Sequence, residues 1–359
     1  MTSLKGRATR RALMLAALAV VAAPSSRALA WGSPGHQYVG NLAWLLLNPN
    51  ARNRVRQMLG PSVTLGEAAV WPDCVRSVER SAAGQFDYQH GRFTPQVCAV
   101  FESATERQKM IDYAQRNWTN CLYGGRPLKC HQSFHFADVN VHIHSDYQPT
   151  YVGTGANDVV HGIRAAVAML KCNPPQSCVI PTPFALATKR EALLLLAHLV
   201  GDLHQPLHVG AIYLDSAGQE TDDTGVEMHG GNYLLLSPGD DADNLHHAWD
   251  TVSSSIGTAP SQNAVNSGCH IAPLPNPVVD PPEVWASETV LAARAAYQGM
   301  RFTPDATAAG RWDVEFLDKP KYGSDRRAAQ ARQVIIGGAR LAALLNSIWP
   351  STRVAAACR

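Results

Sequence analysis

Apolar positions recur along most of the chain at helical spacing, in segments separated by polar, Gly- and Pro-rich stretches. The pattern predicts helices over Tyr38–Leu47, Ser103–Trp118, Asn157–Met169, Pro183–Leu203, Pro282–Arg301 and Ser324–Trp349. A further helical turn is expected after Pro72, since proline suits a first turn. Strand signals are few. His131–His144 mixes polar and apolar residues like an extended segment. Ser81–Lys129 is irregular around its one helix and reads as a disulfide-held insertion. Asp215–Asn232 and Val252–Pro281 read as loops, the first as a solvated Asp/Gly-rich loop matching no EF-hand. No period of 20–50 residues repeats. The expected fold class is mainly α, one helical domain with long loops.

One stretch breaks the apolar pattern in a chemically specific way. Glu191–Gly210 reads EALLLLAHLVGDLHQPLHVG. His198 and Asp202 lie one turn apart on an apolar helix, Pro206 interrupts it, and His208 follows. Buried polar groups need partners, and a metal ion is the obvious one. Asn244–Asp250 repeats the arrangement, with His246 and Asp250 at i and i+4, on one face of a helical turn.

Composition adds the compartment. The 359 residues are 46% apolar and 17% charged, an ordinary globular balance. Residues 1–30 have a basic start, an apolar run Ala12–Ala23 and a small-x-small site at Ala28-Leu29-Ala30, so a signal peptide is expected, followed by one domain over 31–359. Arg10-Arg11 is compatible with twin-arginine export as well as ordinary secretion. All eight cysteines lie beyond the leader and read as disulfides. Cys121/Cys130 and Cys172/Cys178 suit local bridges; the pairing among Cys74, Cys98, Cys269 and Cys358 stays open. A periplasmic or secreted protein is expected, a monomer with no membrane span and no stable protein partner. Asn117-Trp118-Thr119 forms a glycosylation sequon.

Charge narrows the partners. Without the leader the chain has 26 basic and 29 acidic residues, a net of −3. That argues against nucleic-acid binding through a broad positive surface, but not against an enzyme that holds phosphates with metals. Histidine and aspartate suit zinc. The chain offers more of them than one ion needs, which suggests a multinuclear site able to clamp both oxygens of a phosphoryl displacement.

The motifs occur in a familiar order: Trp31-Gly-Ser-Pro-Gly-His36, Trp71-Pro-Asp73 with Arg76, His135-Phe-Ala-Asp138, HLVGDLHQPLH, Gly230-Gly231-Asn232 and NLHHAWD. Together they make the chain similar to the zinc-dependent S1/P1 nucleases, as a bacterial member. The resemblance implies a helical fold shared with zinc phospholipase C and three Zn2+ per chain. It assigns one ion to Asp73, His135, His198 and Asp202. A second falls to His36, Asp202 and the α-amino nitrogen and carbonyl oxygen of Trp31. The third falls to His208, His246 and Asp250. His204 and His247 stay outside the ligand set, and His131, His142 and His144 read as supporting or surface residues.

The same resemblance implies hydrolysis of single-stranded RNA and DNA to 5′-mononucleotides, with 3′-nucleotidase activity as an additional expectation. Asp73 would orient or deprotonate the attacking water. Arg76 would neutralise charge growing on the non-bridging oxygens. Asp138 would bind the base, with Phe136 lining its site. A zinc phospholipase C is the alternative enzyme; Asp138 and the GGN and NLH-x-x-WD motifs favour the nuclease. A non-catalytic zinc-binding protein fits less well, because the ligands spread over more than 200 residues and sit on apolar helices.

Overall fold

The computed structural model describes residues 31–90, 95–119, 121–123, 126–173, 178–271 and 281–358. The expected leader, with Arg10-Arg11, lies outside them. The described chain is mainly helical, as the periodicity predicts.

Three helices make the frame that holds the site. The central one, Lys189–Leu203, begins where Thr188 caps it, its hydroxyl accepting from Glu191 N at 3.1 Å. Pro183 is therefore not its start: residues before Thr188 stay outside the helix. Every residue from Glu191 to Leu203 is buried, so each polar group on this helix has to be satisfied inside the protein. The N-terminal helix Ser33–Leu46 packs on it and on the 30-residue C-terminal helix Lys319–Ile348. The C-terminal helix starts five residues before the expected Ser324, because Asp318 caps it and Pro320 fits its first turn. Asn48 and Asn346 join the two terminal regions, Asn48 N donating to Asn346 Oδ1 at 2.8 Å.

After the central helix, Pro206–His208 forms a 3₁₀ turn that leads into the short strand Gly210–Ala211. This strand pairs in parallel with Val139–Asn140. The pairing extends upstream: Ala137 N donates to His208 O at 2.8 Å and Val139 N to Val209 O at 3.0 Å. The segment carrying His135 and Asp138 thus runs beside the one carrying His208. Helix Pro282–Ala296 covers both, with Arg294 donating to Val141 O at 2.8 Å and His144 O at 2.9 Å.

Several elements differ from expectation. His131 lies on a helical turn, Cys130–Ser133, and only Val139–Asn140 of the expected extended segment pairs as strand. The helix expected over Pro282–Arg301 ends at Ala296, and Gly299 at φ 74° turns the chain into a hairpin, Met300–Pro304 with Trp312–Phe316. Within the stretch read as loop, Gln262–Ile271 is a helix that buries only Ala264, Val265 and Gly268; so thin an apolar stripe gives a weak periodic signal. The insertion carries the expected helix, Ala104–Arg116, and the strand pair Cys121–Tyr123 with Arg126–Leu128, and its Phe86–Tyr88 pairs with Val78–Arg80 just before it.

Four disulfides use all eight cysteines: Cys74–Cys98, Cys121–Cys130, Cys172–Cys178 and Cys269–Cys358. Two are the expected local bridges. The sequon asparagine, Asn117, is fully buried. Its amide nitrogen donates to Tyr113 O and Ala185 O at 3.0 and 3.1 Å, and its oxygen accepts from Ala185 N at 3.0 Å. No helix among the described residues is long and apolar enough to cross a membrane.

Candidate metal centre

Eight of the nine expected ligand residues meet through their side chains in one buried centre, built from six segments. His36 comes from the second turn of the N-terminal helix, and Asp73 from the short helix Trp71–Val75. His135 and His208 come from the paired segments, His198 and Asp202 from the central helix, and His246 and Asp250 from helix Leu245–Asp250. The centre contains three sets whose ligating atoms lie within 4.8 Å of one another: His36, Asp73 and His198; His135, His198 and Asp202; His208, His246 and Asp250.

Asp202 sits between several imidazoles. Its Oδ2 lies 3.0 Å from His135 Nδ1 and 3.1 Å from His198 Nε2. Its Oδ1 lies 3.3 Å from His36 Nε2 and 3.9 Å from His208 Nδ1. The two oxygens thus face different partners, the disposition a bridging carboxylate needs.

Backbone carbonyls decide which ring nitrogens are bare. His198 Nδ1 donates to Ala69 O at 2.7 Å, His208 Nδ1 to His135 O at 2.8 Å and His246 Nδ1 to Gly230 O at 2.8 Å. A neutral imidazole that donates from one nitrogen has only a lone pair on the other. His135 is set the opposite way, Nε2 facing His131 O at 3.2 Å. The bare nitrogens then point at each other: His198 Nε2 to His135 Nδ1 at 2.8 Å, and His246 Nε2 to His208 Nε2 at 3.1 Å. Facing lone pairs repel unless a cation lies among them. Both oxygens of Asp73, Oδ1 of Asp202 and Oδ2 of Asp250 are also buried with no hydrogen-bond partner, a costly arrangement that Arg76, 3.6 Å from Asp73, offsets at one of the three carboxylates. The donor set fits zinc, and the carbonyl bonds orient the rings as ligands require.

The electrostatics agree for four of the five histidines; at His198 burial also favours the neutral ring, but Asp202 and Asp73 beside it outweigh that and raise it. Burial, the largest influence on each, pulls His36 down to about 4 and His246 to about 3, and lowers His135 and His208. These rings are neutral at pH 7, the form that binds metal. Burial opposes ionisation of Asp202, but the histidines around it outweigh that and hold it well below the usual carboxylate range. Burial pushes Asp250 well above that range.

Two glycines make room. A Cβ at Gly201 would lie 2.8 Å from His36 Nδ1, so the central helix must be bare there for His36 to stack on His198, ring centroids 3.9 Å apart. Gly230, at φ 57°, presents its carbonyl to His246, and a Cβ there would lie 2.2 Å from Leu207 O. Neither role is visible from residue type alone.

The other expected residues take these places. Trp31 is fully buried; a Cβ at Gly35 would lie 3.0 Å from Trp31 Cβ, and one at Gly201 would lie 3.8 Å from Trp31 Cδ1. Gly32 N donates to Asp250 O at 2.7 Å, which draws the segment into the centre. Arg76 lies at the centre's edge, Nη1 3.6 Å from Asp73 Oδ1 and 14% exposed. Asp138 is buried beside Glu227 and His229 rather than in the main centre, and Phe136 is half-buried. His142 and His144 lie 3.5 and 3.7 Å from Glu220 and Asp223, pinning the Asp-rich loop. His204 is buried away from the ligands, Nδ1 donating to Val200 O at 2.7 Å and Nε2 accepting from Arg340 at 3.1 Å.

Comparison with known proteins gives the same direction. The family profile described as S1/P1 Nuclease matches residues 31–350. Endonuclease 4 of Arabidopsis thaliana is 33% identical over 186 residues, 45% of this chain and 51% of that protein. Endonuclease 5 of the same plant is 24% identical over 351 residues, 90% of this chain and 91% of that protein. The chain thus aligns with about half the length of the first relative and nearly all of the second. With the profile spanning the motifs and the buried centre alike, the chain belongs to the S1/P1 nuclease family.

Proposed function

We propose that the protein is a zinc-dependent nuclease that hydrolyses phosphodiester bonds of single-stranded RNA and DNA to 5′-mononucleotides and also acts on 3′-nucleotides. The observation that carries the reading is the facing of bare ring nitrogens, 2.8 and 3.1 Å apart, beside unpartnered carboxylate oxygens. Three sets of ligands support three ions. Asp202, whose two oxygens face different imidazoles, would serve two of them, and Trp31 would join His36 through its α-amino group once a leader over residues 1–30 is removed.

Bound zinc supplies Lewis acidity and a lowered pKa for water. The chain's own residues do the rest. Asp73, buried and without a hydrogen-bond partner, accepts a proton from the attacking water or orients it. Arg76 offers charge to the non-bridging phosphate oxygens from 3.6 Å beside Asp73. Asp138 and Phe136 take the base, and the need for an unpaired base selects single strands. Four disulfides support an exported protein.

The test is an assay of purified protein, starting at Trp31, on single-stranded RNA and DNA, duplex DNA, 3′-nucleotides and phosphatidylcholine. Single-strand hydrolysis abolished by a chelator and restored by zinc is expected, with close to three zincs per chain by elemental analysis. Activity confined to the lipid would overturn the nuclease reading. Full activity with one residue retained before Trp31 would overturn the N-terminal ligand.

A further inference from the structure

Asp250 is held by contacts to its carbonyl, to its flanking backbone and to its carboxylate. Gly32 N donates to its carbonyl oxygen at 2.7 Å. The Gln330 amide, from the C-terminal helix, donates to the neighbouring carbonyls of Ala248, Trp249 and Thr251 at 3.3, 2.8 and 3.1 Å. These bonds fix the backbone at the end of helix Leu245–Asp250. They leave the carboxylate free to rotate.

Gln205 removes that freedom. It is fully buried in the turn between Asp202 and His208. Its Oε1 accepts from Leu207 N at 2.6 Å, which settles which end of the amide is which. Its Nε2 must then face Asp250, and donates to Oδ1 at 2.7 Å. With Oδ1 engaged, Oδ2 is left unpartnered, 3.4 Å from His246 Nε2. The turn that places His208 therefore also aims Asp250 at the same point.

We infer that Gln205 is a positioning residue for the metal ion held by His208, His246 and Asp250, acting through the Asp250 carboxylate and selective for that ion. The inference rests on reading the centre as a metal site. Gln205 acts through Asp250 and is not itself counted among the ligands. Its effect falls on one ion because, among the described residues, its side-chain hydrogen bonds go to Asp250 and Leu207.

The test is zinc binding by wild type and Gln205→Met, a substitution that keeps length and volume but removes the amide. Bound zinc per chain is measured at buffered free-zinc concentrations, with thermal melting of the chelated proteins as the control for folding. One ion should bind about 10–100-fold more weakly in the variant, the scale for removing a contact that orients a ligand. The others should keep wild-type affinity, and a His246→Ala variant should lose the same ion outright. Unchanged binding of all ions overturns the inference. Equal weakening of all ions with a lowered melting point also overturns it, since that marks a packing role. Wild-type protein that binds no zinc overturns the metal reading instead.

A wild-type measurement stands independent of any variant's folding. In the nuclear magnetic resonance spectrum, the side-chain amide of Gln205 should shift when the His208–His246–Asp250 ion is withdrawn by a chelator. No shift overturns the inference.

Discussion

On the central helix, Asp202 offers both oxygens to imidazoles, 3.0 and 3.1 Å on one side and 3.3 Å on the other. On the short helix Leu245–Asp250, Asp250 ties one oxygen to the Gln205 amide and turns the other to His246. Both aspartates follow a histidine by four residues, and the paired atoms lie at similar distances, 3.1 and 3.4 Å. The shared spacing fixes only that histidine and aspartate leave the helix on one face. Neighbours decide the rest. Asp202 lies where three further segments bring His36, His135 and His208, and His198, with His208 and His135, outweighs burial and holds it ionised. Asp250 has fewer imidazoles and an amide, and burial drives it the other way. Under the proposed metal reading, one carboxylate would bridge and the other would serve one ion.

Removing a ligand from each side is the strongest way to break this comparison. His198 lies in two overlapping sets, 3.1 Å from the Asp202 carboxylate that would be shared by the paired ions, and His246 in one. His198→Ala should cost kcat/KM at least ~10²–10³-fold, the scale of losing a contact to transition-state charge, and should reduce bound zinc by more than one ion per chain. His246→Ala should reduce it by one. Equal losses in the two variants would mean that the sides are not separate.

A smaller effect comes from the fit between helices. Gly201→Ala would force His36 from its place, since the new Cβ would lie 2.8 Å from its Nδ1. A displacement of that kind costs roughly 10²-fold in rate, with the His208–His246–Asp250 ion retained. Metal analysis paired with kinetics checks both parts.

The smallest effect sharpens the electrostatic contrast. In chelated protein, His36 and His246 take up a proton near 6.5 when unfolded but only at about 4 and about 3 when folded. The unfolded state binds more protons between those limits, so stability falls as pH falls from 6.5 towards 3. Asp250 has the opposite sign: its folded pKa is raised, so its contribution is lost as pH rises through the folded value. Denaturant midpoints should therefore fall on acidification in chelated wild type, and fall less in His246→Ala. An unchanged slope in that variant would refute the assignment.

The residues of the centre were legible because their motifs follow the order seen in the S1/P1 nucleases, and His198 with Asp202 and His246 with Asp250 also stand out by their i, i+4 spacing. What orients them was not. Ala69, Gly230 and His135 act through backbone carbonyls, which no residue type advertises. Gln205 can be seen in the sequence, but its partner lies 45 residues away. The fold was legible where apolar periodicity is dense, as in Lys189–Leu203. It failed at Gln262–Ile271, which buries little, and at Met300–Pro304, whose alternation runs on from a helix. The Cys74–Cys98 and Cys269–Cys358 bridges depend on long-range proximity that spacing does not encode.

Asn117 has a consequence for making the protein. Its amide joins the Ala104–Arg116 helix end to Ala185 and is fully buried. A cell that attaches glycans at N-x-S/T would modify the nascent chain before that joint closes. Glycan transfer and folding would then race for one nitrogen, and each chain that lost the race would be unable to bury it. Replacing Asn117 would damage the joint that the replacement was meant to protect. Thr119→Ala erases the signal instead, at an exposed position two residues away.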